Sequence, residues 1–66
     1  MISYEQIRVL QAIVQTGTFR GAAEKLHKSQ PALSQMIAKL EEEIGFTLIS
    51  REGYRPALTE KGQAFY

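Results

Sequence analysis

A chain of 66 residues without a single cysteine has neither a disulfide nor a thiolate-bound zinc to staple it, so side-chain packing must hold it together. A domain this small buries only about 60% of the surface its unfolded chain exposes, and its core is therefore expected to be thin. With 44% of residues apolar and 23% charged, it still has the composition of an ordinary globular domain. The order in which those apolar residues recur narrows the fold to packed helices.

Ser3 followed three residues later by Gln6 is a capping box, and Ile7, Leu10 and Val14 then recur at helical spacing with Ile13 beside them. A first helix is expected from Tyr4 to about Gln15. Gly17 suits the left-handed position that ends a helix, and Thr18 can cap the next one, whose buried stripe is Phe19, Ala22, Ala23 and Leu26. Ser29 is a good N-cap for a third helix, and Pro31 is tolerated in a first turn because the amide hydrogen it lacks has no helical partner there. Leu33, Ile37, Leu40 and Ile44 follow on one inward face, and Gly45 ends the helix.

Beyond Gly45 the pattern becomes β-compatible from Phe46 to Ile49, breaks from Ser50 to Gly53, and resumes weakly at Ala57 and Leu58. This predicts a small hairpin with a polar tip. Pro56 cannot donate to a ladder, so the returning strand is expected to be short or at an edge. Thr59 caps a fourth helix beginning at Glu60. Residues 1–58 are thus expected to form one domain, with 59–66 the truncated start of a linker helix in a longer protein. The fold class predicted is mainly α: three core helices, a small β-hairpin and the start of a fourth helix.

The second and third helices are separated by only about three residues, 27–29, the spacing of a helix-turn-helix unit. If Leu33, Ile37, Leu40 and Ile44 face inward, the third helix presents Gln30, Ser34, Gln35, Ala38 and Lys39 outward. Short amides, hydroxyls and a cation suit a DNA major groove, where an amide pairs with adenine edges and Lys meets guanine or phosphate. Taken alone, the same residues fit an ordinary solvated helix face equally well, and a module that binds another protein through this surface is the alternative.

Residues 4–66 resemble the N-terminal domain of LysR-type bacterial transcription regulators, through "GTFRGAAEKLHKSQPALSQMIAKLEEEIG" and "FTLISREGYRPALTEKGQAF". The run Ser29-Gln30-Pro31-Ala32-Leu33-Ser34, with Ile37, Leu40, Glu41 and Gly45 after it, is far more specific than a helix-turn-helix spacing. The resemblance implies a winged helix-turn-helix that binds operator half-sites in double-stranded DNA and a homo-oligomer formed through the long fourth helix. It also implies a separate C-terminal domain sensing a small-molecule effector; no cofactor is expected in the present chain. It assigns base contacts to Gln30, Pro31, Ser34 and Gln35. Thr18, Lys28 and Ser29 would approach phosphates, Lys39 a phosphate or base edge, and Arg51 and Arg55 belong to the wing, with Arg55 at the minor groove. Two residues depart from the family pattern: Ile49 stands where Phe is more usual, and Gln35 where Arg is frequent.

Charge refines this picture. Eight basic against seven acidic residues give a net charge of only +1, so the total does not announce a nucleic-acid partner. Between positions 20 and 39, however, Arg20, Lys25, Lys28 and Lys39 face a single acid, Glu24, and the run Glu41 to Glu43 then offsets them. That run reads as the solvated end of a helix, although acids there oppose the macrodipole. One histidine, no cysteine and no carboxylates clustered around a pocket-forming sequence argue against an enzyme and against a metal site. His27 in the turn reads as a solvated or capping residue. With neither a membrane-length apolar run nor a signal-peptide pattern, a cytoplasmic protein is expected.

Overall fold

The computed structural model describes residues 2–50 and 56–66. Three helices, α1 (Tyr4–Thr16), α2 (Phe19–Leu26) and α3 (Gln30–Ile44), precede two antiparallel strands, β1 (Ile49–Ser50) and β2 (Ala57–Leu58), and a short α4 (Glu60–Phe65). Ile49 pairs with Leu58 and Ser50 with Ala57. This is the winged helix-turn-helix arrangement read from the sequence.

Each helix begins at a hydroxyl. Ser3, Thr18, Ser29 and Thr59 sit in extended backbone, and their side chains accept the amide hydrogens of Gln6, Gly21, Ala32 and Gly62. The Gln6 side chain returns the bond at Ser3, completing the capping box. Gly17 (φ 78°) and Gly45 (φ 86°) end α1 and α3 in the left-handed region, where an added side chain is strained. His27 ends α2 in the same conformation (φ 56°) without being glycine, the one described non-glycine residue to do so. It is a cap by backbone: its amide hydrogen points at the Ala23 and Glu24 carbonyls.

The core consists of Val9, Leu10, Ala12 and Ile13 from α1, Ala22 and Ala23 from α2, Leu33, Ile37 and Leu40 from α3, and Leu48 and Ile49 from the chain entering the wing. On α1 the buried stripe is rotated from the one the spacing of Ile7, Leu10 and Val14 implies. Val9 and Ala12 lie inside, Ile7 is half-buried and Val14 is exposed. The polar side chain on that stripe is Gln6, buried with its hydrogen bonds satisfied: it accepts from Ser3 at 2.8 Å and donates to Glu43 at 3.2 Å. It thereby ties the start of α1 to the end of α3.

The strand also starts later than residue 46. The amides of Leu48 and Ile49 point at the Glu41 carboxylate, while the Thr47 and Leu48 carbonyls accept from Thr59. The Leu48 amide and the Thr47 and Leu48 carbonyls are engaged elsewhere, and ladder pairing begins only at Ile49 and runs through Ser50, which the sequence placed in the break.

Candidate nucleic-acid interface

The turn after α2 is three residues long and leaves α3 with two faces. Leu33, Ile37 and Leu40 are fully buried, whereas Gln30, Pro31, Gln35, Ala38 and Lys39 are exposed and Ser34 is half-buried. The four positions proposed for base contact thus share the outer side of the N-terminal half of α3. Gln30 and Ser34 are one turn apart, as are Pro31 and Gln35, so the four form a compact patch. Its chemistry is two amides, a hydroxyl and a proline ring, with no acid among them. Lys39 continues the patch one turn beyond Gln35.

Ser29 precedes this face at the start of α3, and Thr18 stands at the start of α2. Their hydroxyl oxygens are committed as caps, accepting from Gly21 at 2.8 Å and from Ala32 at 3.2 Å. A hydroxyl also carries one hydrogen to donate, and this is what either residue has to offer a phosphate oxygen, alongside the positive end of its helix dipole.

Lys28 has a partner that its place in the sequence does not reveal. Its ammonium lies 2.8 Å from the Glu5 carboxylate in the first turn of α1. The hydrogen bond and the charge of Lys28 together hold the Glu5 carboxyl below its ordinary value, with a smaller contribution from Arg8. Lys28 is therefore paired within the protein, at a partly exposed position. Lys25 is engaged too, donating to the Gln15 side chain at 2.6 Å. Arg51 and Arg55, the wing residues singled out from the sequence, lie outside the described residues, as does Tyr54.

The acidic run at the end of α3 is not simply solvated. Glu41 is half-buried and accepts the amide hydrogens of Leu48 and Ile49, and Glu43 accepts from Gln6. Only Glu42 of the three keeps the bland reading. The sequence carries no local signal for the role of Glu41, because its donors lie seven and eight residues on, across the end of the helix.

Residues 4–63 match the family model described as bacterial regulatory helix-turn-helix protein, lysR family. Among curated relatives, the RuBisCO operon transcriptional regulator of Allochromatium vinosum is 42% identical over 65 residues, covering 98% of this chain and 22% of that protein. The regulator AceR of Acinetobacter baumannii is 40% identical over 65 residues, covering 98% of this chain and 22% of its own. The chain thus spans about a fifth of the length of the relatives it matches. Among solved structures, the BenM_DBD/benA site 1 DNA complex superposes with a TM-score of 0.94 at 37% identity, covering 98% of this chain and 73% of that one. The CbnR_DBD–DNA complex gives 0.90 at 31% identity, covering 97% and 74%.

Proposed function

This chain belongs to the LysR family of bacterial regulatory helix-turn-helix proteins, and from that membership we propose that it binds double-stranded DNA sequence-specifically as the reading domain of a transcription regulator. The N-terminal half of α3 lies in the major groove, and the wing meets the adjacent minor groove. The observation that carries this reading is the division of α3: Leu33, Ile37 and Leu40 wholly inside, and an uncharged hydrogen-bonding patch of Gln30, Pro31, Ser34 and Gln35 on the opposite side, reached by a three-residue turn. Relatives solved on DNA share this fold at TM-scores of 0.90 and above, which supports the same use here.

In this reading Gln30 and Gln35 present amides that can donate and accept at once, matching N6 and N7 of adenine. Thr18, Lys28 and Ser29 hold phosphates, Lys39 takes a phosphate or base edge, and Arg51 and Arg55 act from the wing. The role is binding rather than catalysis, within the cytoplasm, and it needs no cofactor in these residues. In the longer protein, α4 begins the helix through which two copies pair on two half-sites, and a further domain senses a small-molecule effector. No helix among the described residues is long and apolar enough to cross a membrane.

Gln35 provides the test. An Arg at that position matches O6 and N7 of guanine, so Gln35→Arg is expected to shift preference from adenine toward guanine at one position of each half-site by about 1–3 kcal/mol. Selection over randomised half-sites with both variants measures this. A uniform gain in affinity with an unchanged base profile would place Gln35 over the backbone and defeat the register proposed. Affinity must also fall steeply with salt, because phosphate contacts release counterions, whereas a weak salt dependence fits a protein partner.

A further inference from the structure

We infer that Glu41 is a positioning residue for DNA reading, which fixes the base of the wing against the recognition helix and so governs selectivity for base pairs flanking those read by α3. This rests on the DNA-binding function proposed above. Glu41 lies near the C-terminal end of α3, where the helix dipole disfavours a carboxylate. Its place there is explained by the chain it holds. One oxygen, Oε2, accepts the amide hydrogens of two successive residues, Leu48 at 2.7 Å and Ile49 at 3.1 Å. Charge-assisted bonds of this kind are shorter and stronger than neutral ones.

The opposite edge of the same segment is held by α4. The Thr59 amide donates to the Leu48 carbonyl at 2.9 Å, and the Thr59 hydroxyl donates to the Thr47 carbonyl at 2.5 Å. Gly62 packs so closely that a Cβ there would stand 2.5 Å from the Leu48 carbonyl oxygen. Residues 47–49 therefore form a strap in which the amides of Leu48 and Ile49 face the recognition helix and the carbonyls of Thr47 and Leu48 face the start of α4. Ile49 is also the first residue of β1, so the strap determines where the wing departs from the body. The positions proposed for base contact are on the first two turns of α3, whereas Glu41 is on its last full turn. The one end reads; the other sets the angle at which the wing reaches the neighbouring groove.

Glu41→Ala and Glu41→Gln in this chain test the assignment with two readings. In Glu41→Ala, amide hydrogen exchange at Leu48 and Ile49 is expected to quicken by roughly tenfold or more, the factor implied by losing a hydrogen bond to a charged group, while Leu33 and Ile37 keep their rates. Selection over randomised duplexes should then return the parent's bases beneath α3 but a flattened preference in the flanks. Glu41→Gln keeps an acceptor without its charge and should fall between parent and Ala on both measures. Unchanged flanks, or an equal loss over core and flanks, would overturn the positioning role. A parent chain that binds no duplex even at low salt defeats the DNA reading and this inference with it, an outcome distinct from a parent that binds while the variants match it.

Discussion

The three-helix body and the strap that carries the wing are built by different means. In the body, Val9, Leu10, Ile13, Leu33, Ile37 and Leu40 are at most 1% exposed, and what holds α1 to α3 is apolar area removed from water. In the strap, Leu48 and Ile49 do enter the core, but the backbone around them is placed by two side chains, the Glu41 carboxylate and the Thr59 hydroxyl, and by the absence of one at Gly62. Apolar contact is non-directional, whereas a hydrogen bond to a carboxylate oxygen favours particular angles at donor and acceptor. The body is therefore suited to bearing stability, and the strap to bearing position.

The largest effect expected is in the body. Ile37→Ala should cost about 2–5 kcal/mol, the usual range for emptying a packed aliphatic site, whereas Ile37→Val should cost roughly 0.5–1.5 kcal/mol. Urea unfolding of both variants measures this. A loss near 1 kcal/mol for the alanine variant would mean that the body relaxes around the hole and is no better packed than the strap. Gly62→Ala comes next. Its new methyl meets backbone rather than a yielding side chain, so about 1–3 kcal/mol is expected, the typical penalty of overpacking. Loss of protection at the Thr59 amide should accompany it and localise the damage to the α4 side of the strap. A neutral Gly62→Ala would show that the close approach to Leu48 carries no strain-free requirement for glycine.

The smallest effect belongs to Glu5. Its carboxyl is held below its ordinary value of 4.5 by Lys28, so the folded state binds that proton less readily than the unfolded chain does. The resulting stability is present in full above the ordinary value and is lost as pH falls through the lower folded one. The difference in stability between parent and Glu5→Gln should therefore narrow on acidification through this window. A constant difference would disconnect Glu5 from Lys28. On DNA the same substitution releases Lys28 from its internal counterion and should raise affinity for all duplexes alike.

Much of the body was legible because its determinants are local. Ser3, Thr18, Ser29 and Thr59 each cap an amide three residues on, and Gly17 and Gly45 each terminate the helix they follow, so the helix limits could be read almost to the residue. The outer face of α3 followed from the inward spacing of Leu33, Ile37 and Leu40. The rest depends on contacts between distant segments. Val14 shares helical spacing with Leu10 but is exposed, while the amide of Gln6 takes an inward place because Glu43 is there to accept from it. Lys28 reads as a free cation until α1 brings Glu5 beside it. Glu41 reads as helix-end solvation until the chain doubles back and offers it two amides.

The division of α3 has a consequence for how such a protein changes over generations. Gln30, Gln35, Ala38 and Lys39 are exposed and none belongs to the core, so substitutions among them leave the folding free energy nearly untouched. If these residues read bases as proposed, a duplicated copy could drift toward a new operator one base at a time without passing through unfolded intermediates. The helix thus separates what selection must keep from what it is free to rewrite, by as little as a half-turn of backbone.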